Sequence, residues 1–319
     1  MSDSFNNKKI LFMGTPDFAL ASLRYLHENG ANICGVVTQP DKPKGRGNKL
    51  CASEVKQYAQ SSDLPVFQPE SLKDQSFMPT LNELNPDVIV VVAYGKILPE
   101  YILSFPRYGC VNVHGSLLPL YRGAAPIQRA VLEGQTQTGV TTMLMDKGLD
   151  TGDMLLVEKL DIGKDDTCEQ VFDRLAEIGG KLLYKTLSGL FDGTITPQKQ
   201  DESKATYAQK LTADDEKIDF TVCAFGVHNK IRGLTSFPGA FALLEGKKIK
   251  LYSSTVYEGK IPENAVCGQV FFPNKKSVAV VCGQRDAVVV GAFKPEGKGI
   301  LTSADMINGR KINEGDILK

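Results

Sequence analysis

The chain has 319 residues, with 37 Lys and Arg against 37 Asp and Glu, so its formal net charge is zero. That length suits two domains with ample core in each. Balanced charge excludes a uniformly basic nucleic-acid coat protein but leaves room for a local basic patch.

The seven cysteines (34, 51, 110, 168, 223, 267 and 282) form no C-x-x-C pair, and most sit in apolar runs. There a thiol behaves as a small hydrophobe, which predicts a reducing compartment with neither disulfides nor a zinc site. The first nine residues are polar and lead straight into an apolar run. No signal peptide and no stretch of bilayer length is read, so a cytoplasmic protein without a membrane partner is expected.

In chain order, Ile10–Met13 predicts a first strand ending in Gly14-Thr15-Pro16, and helical spacing runs from Asp17 to His27. Ile33–Val37 is a second strand, 41–49 a polar loop, 52–60 a short helix, 65–67 a brief strand and 75–84 another helix. Asp87 to Ala93 is nearly all apolar, the mark of a strand buried on both faces of a parallel sheet. A helix over 98–103, a strand over 109–114, a helix over 123–133, strands over 140–145 and 154–160 and a long helix over 167–192 follow. Alternating strands and helices predict a doubly wound, Rossmann-like α/β domain over 1–193.

From 194 to 212 the chain is polar and aperiodic, which predicts a linker. Beyond 213 come short β-prone runs (240–244, 248–256, 268–272, 277–281, 287–293) and one helix near 221–233. Many short strands predict a small OB-like β-barrel over 213–319. This part carries fifteen Lys and Arg against twelve Asp and Glu.

The chemistry concentrates in two runs, N-V-H-G-S-L-L-P over 112–119 and G-L-D-T-G over 148–152. Alternation puts Asn112 and His114 on one strand face just before a turn, where open α/β sheets build their sites. Imidazole moves protons near neutrality, a carboxylate such as Asp150 fixes its tautomer, and a carboxamide donates to an oxygen gaining charge. The plain alternative is a structural histidine satisfied by an aspartate. Cys110 reads as a buried thiol, since nothing positive flanks it. Gly14-Thr15-Pro16 lacks the dinucleotide spacing G-x-G-x-x-G, which argues against a nicotinamide cofactor. Tyr94-Gly95-Lys96-Ile97-Leu98-Pro99 follows the all-apolar strand and is a candidate pocket wall. Lys42, Lys44, Arg46 and Lys49 lie on a Pro/Gly-rich loop: either a solvated connector or a mobile basic arm for phosphates.

G-T-P-D-F-A, V-T-Q-P-D-K-P-K-G-R-G, Y-G-K-I-L-P, N-V-H-G-S-L-L-P, R-G-A-A-P-I-Q-R-A and G-L-D-T-G occur here in one order. Together with Tyr207–Leu211 and Ile231–Leu234 they resemble the methionyl-tRNA formyltransferase family, over nearly the whole chain. The resemblance implies formyl transfer from 10-formyltetrahydrofolate to the α-amine of methionine on initiator tRNA, without a metal. It implies catalytic roles for Asn112, His114 and Asp150. It implies folate contacts from Ser116, Leu117, Leu118 and Pro119, joined by Tyr94, and tRNA contacts from Lys42, Lys44, Arg46 and Lys49. A monomer is expected. The same chemistry on glycinamide ribonucleotide or an amino sugar is one alternative, and a folate- or RNA-binding module is another.

Overall fold

The apolar runs become the strands of a parallel sheet. A computed structural model describes residue 5 and residues 7–44 and 49–319. Two units emerge: residues 1–123, 138–160 and 172–207 form the first, and 124–137, 161–171 and 208–319 the second.

In chain order, β1 (Ile10–Gly14), α1 (Asp17–Glu28) and β2 (Ile33–Val37) open the first unit. A hairpin of β3 (Lys42–Lys44) and β4 (Lys49–Cys51) follows, then α2 (Glu54–Ser61), β5 (Val66–Phe67), α3 (Met78–Leu84), β6 (Val88–Val92), α4 (Glu100–Leu103) and β7 (Cys110–His114). Next come β8 (Arg122–Gly123), α5 (Pro126–Leu132), β9 (Gln137–Leu144), β10 (Met154–Asp161) and α6 (Cys168–Phe191). The main sheet has the order β10-β9-β7-β6-β1-β2-β5. Its β7, β6, β1, β2 and β5 run parallel, and β9 is antiparallel to β7.

Every residue of β1 and β6 is buried, as the unbroken apolar runs require. Leu81 of α3 and Ile102 of α4 cover one face, packing in a cluster with Leu11, Ile89 and Cys110. On the other, a Cβ added at Gly179 of α6 would lie 3.2 Å from Val113 and 3.8 Å from Val140, so helix and sheet meet at close range. Strand order reverses between β1 and β6. The carboxyl ends beside that switch are where such sheets hold ligands. Register aligns Gly14 with Val92 and Val91 with Asn112, which brings the ends of β1, β6 and β7 to one level.

The second unit continues through β11 (Tyr207–Ala208), α7 (Ala213–Glu216), α8 (Ala224–Gly233), β12 (Phe241–Leu244) and β13 (Lys247–Val256). It ends with β14 (Val270–Asn274), β15 (Ser277–Val281), β16 (Ala287–Pro295), β17 (Leu301–Thr302) and α9 (Ser303–Asn308). The antiparallel sheet β12-β13-β16-β15-β14, with β17 beside β16, curls around a core that includes Val227 and Ile231 of α8. Its two edges are bridged by the last residues: Leu318 pairs with Leu244 and Ile317 with Gln269. Closure of this kind removes exposed strand edges.

Three expectations change. The basic segment 41–49 is not a plain loop: Lys42 pairs with Cys51 and Lys44 with Lys49, because antiparallel pairing satisfies backbone that composition alone assigned to solvent. The expected linker 194–212 is folded through Tyr207 into the first unit, where Gln200 is buried. Segments 124–137 and 161–171, assigned from sequence to the first domain, belong to the second unit, which also contains α7 and α9. The helix α9 starts with a capping box between Thr302 and Asp305.

Candidate active site

Alternation along β7 carries Cys110, Asn112 and His114 to one face. Deepest of the three, Cys110 contacts the carbonyl of Ile102 at 3.5 Å, and burial pushes its thiol up to about 12. A thiol so reluctant to ionise is no nucleophile at neutral pH. Asn112 is partly exposed, and among the described residues its carboxamide makes no hydrogen bond.

His114, 6% exposed, closes the strand. Its Nε2 lies 2.9 Å from the Tyr121 carbonyl oxygen. A carbonyl can only accept, so Nε2 carries the proton and the neutral ring keeps its lone pair on Nδ1. That Nδ1 faces Asp150 Oδ2 across 3.7 Å. The same carboxylate oxygen accepts from the Gly123 N–H at 2.8 Å. Sequence reading thus brought together a real histidine–aspartate pair, and the structure adds the main-chain groups that orient both partners.

The G-L-D-T-G run owes its composition to space. A Cβ on Gly152 would lie 1.7 Å from the Leu144 carbonyl oxygen, and one on Gly148 would lie 1.9 Å from Thr151 Oγ1. Thr151 in turn donates to Asp146 at 2.7 Å. Asp150 is left in the left-handed region at φ +54°, as is Tyr121 at φ +60°. Backbone of this kind persists in non-glycine residues only where its surroundings impose it.

The turn 116–119 is pinned to β9. Ser116 donates to the Leu120 carbonyl at 2.6 Å, Thr141 Oγ1 donates to the Ser116 carbonyl at 2.7 Å, and the Leu118 N–H donates back to Thr141 at 3.1 Å. Ser116 and Leu118 are buried, whereas Leu117 and Pro119 keep some surface. Tyr94 departs from the pocket wall expected of it. Its ring is buried in the apolar cluster with Leu11 and Met13, and only its main chain serves the sheet edge. The Tyr94 carbonyl accepts from Gln39 Nε2 at 2.7 Å, and Gln39 Oε1 accepts from Lys42 at 2.6 Å. Gly95, at φ +77°, leaves room for that glutamine, which a Cβ would meet at 2.6 Å. Of the four basic positions, Lys42 is exposed, Lys44 and Lys49 lie on the paired strands, and Arg46 lies outside the described residues.

Sequence reading missed the support beneath this site. The guanidinium of Arg122, fully buried, donates to Gln200 Oε1 at 2.8 and 3.0 Å and forks onto Glu202 at 2.7 and 2.9 Å. The Glu202 carboxylate raises the Arg122 pKa further and is itself held below its usual range. Gln200 Nε2 donates to the carbonyls of Asp150 and Gly152, both at 2.8 Å. The Arg-Gly of the R-G-A-A-P run hinted at this arrangement, but Gln200 lies in no motif.

Two loops that follow strands of this sheet carry exposed apolar side chains. Ile97, after β6, is 90% exposed, and Leu149, after β9, is 60% exposed. Such residues suit a flat heterocycle that covers them. Among the described residues no group of three or more His, Cys, Asp or Glu side chains could hold a metal ion. No helix among them is long and apolar enough to cross a membrane.

Comparison with known proteins agrees with this architecture. Residues 8–187 match the family model described as formyl transferase, and 210–311 match the formyl transferase C-terminal domain. A methionyl-tRNA formyltransferase of Lachnospira eligens is 45% identical over 97% of this chain and 99% of its own. One from Caldanaerobacter subterraneus subsp. tengcongensis is 46% identical over 98% of this chain and the whole of its own. In fold, the chain is similar to an N-formyltransferase of Helicobacter canadensis solved with folinic acid and dTDP-3-aminofucose. That likeness has a TM-score of 0.65 at 18% identity and covers 89% of this chain and 98% of the other. With near-complete coverage at such identity, the chain belongs to the methionyl-tRNA formyltransferase family.

Proposed function

We propose that Asn112, His114 and Asp150 carry the transfer of a formyl group from 10-formyltetrahydrofolate to the α-amine of methionine on initiator tRNA. The observation that carries this reading is the free carboxamide of Asn112, two positions before a histidine whose Nε2 is already committed to the Tyr121 carbonyl. The folate supplies, when bound, a formyl group on a nitrogen able to leave. Ile97 and Leu149 offer exposed apolar surface to its ring system, and Leu117 and Pro119 each keep some surface of their own.

Each residue then has one task. The Asn112 N–H donates to the formyl oxygen as that oxygen gains charge. Loss of one such donor costs about a hundredfold in rate or more. His114 accepts at Nδ1 the proton that the attacking amine must shed and returns it to the departing folate nitrogen as the C–N bond to the formyl carbon breaks. The Asp150 carboxylate, 3.7 Å away, stabilises the imidazolium so formed. No covalent enzyme intermediate is required, which accords with the buried, protonated thiol of Cys110.

For the acceptor, the basic run of Lys42, Lys44, Arg46 and Lys49 in the sequence supplies counter-charge for the tRNA phosphates. In the second unit, register places Phe241, Lys250 and Lys294 in one row across three strands. Lys250 Nζ donates to the Pro238 carbonyl while Lys294 is exposed, and an aromatic beside lysines on a barrel sheet suits nucleic acid. The enzyme acts as a cytoplasmic monomer.

Acceptor profiling tests the reading. Labelled formyl donor is offered with charged initiator tRNA, glycinamide ribonucleotide and an amino sugar. Label in formylmethionyl-tRNA alone supports it, and preferential labelling of a small amine overturns it. His114→Ala and Asn112→Ala, checked for folding by circular dichroism, are expected to lose at least about a hundredfold in kcat.

A further inference from the structure

We infer that Gln200, anchored by Arg122, is a positioning residue that sets the catalytic carboxylate of Asp150. The inference rests on the role proposed above for Asp150.

The side chain of Gln200 is fully used. Its oxygen accepts twice from Arg122, and its nitrogen donates to the carbonyls on either side of Thr151, those of Asp150 and Gly152. A donor shared between carbonyls two residues apart fixes the peptide planes between them, and with them the direction in which Asp150 leaves the chain. That direction is unusual, since Asp150 sits at φ +54°. Left to itself an aspartate leaves the left-handed region easily, and its carboxylate would swing away from His114. The other end of the clamp is equally fixed. Arg122 is fully buried, its N–H donates to the Thr206 carbonyl at 2.9 Å, and the preceding Tyr121 N–H donates to Thr206 Oγ1 at 2.8 Å. Tyr121 is the residue whose carbonyl orients His114. One buried cluster therefore grips the main chain behind both members of the catalytic pair. It draws Gln200, Glu202 and Thr206 from a segment whose described hydrogen bonds reach the main chain of the site and Arg122.

Two variants separate positioning from mere packing. Gln200→Glu keeps an acceptor for Arg122 and removes both donors to the Asp150 loop. Gln200→Ala removes the whole side chain. Both are measured beside Asp150→Ala and the double variant Gln200→Glu/Asp150→Ala, with kcat, KM for each substrate and thermal midpoint. We expect Gln200→Glu to lower kcat about hundredfold, the scale of an ångström of misplacement. Either KM should move by less than about threefold. In the Asp150→Ala background the same change is expected to have no further effect, because the group it positions is gone. Effects that multiply independently, or a Gln200→Glu enzyme with wild-type kcat, overturn the inference. So does a loss confined to the thermal midpoint. Wild-type turnover in Asp150→Ala overturns the site assignment itself, and the clamp falls with it.

Discussion

Each unit buries one arginine beneath a loop, and the two are satisfied by opposite means. Arg122 in the first unit forks onto a carboxylate, Glu202, whose side chain is 68% exposed. In the second, Arg232 donates to Asn229 Oδ1 at 2.8 Å and to the carbonyls of Asp166 and Gly163 at 2.8 and 3.3 Å. None of these is a carboxylate, and burial lowers the Arg232 pKa where Glu202 raises that of Arg122. A half-solvated carboxylate neutralises a buried cation and keeps most of its own hydration, so the first clamp holds its loop at small cost. The second stitches 163–166 to α8 through hydrogen bonds to an amide oxygen and two carbonyls, with the Asp165 and Asp166 carboxylates acting on it only through space. The first loop carries Asp150 and the second carries no member of the proposed catalytic set, so the better-compensated cation lies under the loop to which the chemistry is assigned.

The sharpest way to break this comparison is to add one methyl group to each loop. Gly152→Ala pushes a Cβ to 1.7 Å from the Leu144 carbonyl, which belongs to β9 and cannot yield. We expect kcat to fall by about two orders of magnitude or more, as for a displaced catalytic group. Gly163→Ala brings its Cβ to 3.1 Å from the Asp166 carboxyl group, a side-chain end that needs to give by only a few tenths of an ångström while it keeps accepting from the residue-163 N–H at 2.7 Å. That variant is expected to keep wild-type kcat and lose less than about 1 kcal/mol. Equal losses of kcat in the two variants would remove the functional distinction between the loops.

Replacing the cations comes next in size. In Arg122→Met, Glu202 turns to water and the buried Gln200 oxygen loses both donors, at about 1–3 kcal/mol for an unsatisfied acceptor. The Asp150 loop loosens with it, so kcat is expected to fall further than that loss of stability explains. Arg232→Met strands Asn229 Oδ1 and two carbonyls but also relieves a buried charge that no carboxylate hydrogen-bonds directly among the described contacts. Its effect is expected in urea unfolding of the second unit, with kcat per folded molecule unchanged. A large kcat defect in Arg232→Met that tRNA saturation does not restore would sink this division of labour.

Much of this was legible in the sequence. Val88–Val92 could be nothing but a doubly covered strand, because five consecutive apolar residues leave no polar face. Asn112 and His114 were readable because a period of two and a following turn suffice to place them. Gln200 was not: its partners lie 48 to 78 residues away, and no local period records a hydrogen bond across that separation. The same blindness made 194–207 look like a linker. Tyr94 was misjudged for a related reason. Its position at a strand end was right, but its ring is buried in the apolar cluster with Leu11 and Met13, which residue type at a strand end does not reveal.

The smallest expected effect concerns pH and again separates the units. Beside Arg232 on α8, buried His228 accepts from Ser254 Oγ at Nδ1 (2.9 Å) and donates from Nε2 to the Lys164 carbonyl (3.0 Å). Burial lowers its pKa, against the opposing pull of those hydrogen bonds and of Asp165 at 3.5 Å, and Arg232 lowers it further. A base that resists protonation only when folded stabilises the fold fully above its unfolded pKa, about 6.5. The contribution is lost as pH falls from there through the lower folded value. The Arg122 clamp has no group titrating in that window, since Glu202 is held below the ordinary carboxylate range. Between pH 7 and 5 the second unit should therefore weaken while the Asp150 loop does not. His228→Gln should lose about 1 kcal/mol at pH 7.5, the worth of a hydrogen bond, and show a flatter decline toward pH 5 than the wild type. Hydrogen exchange of α8 amides against those of β7 across this range reads both units in one sample. Parallel pH slopes for wild type and variant would show that His228 is not the titrating group.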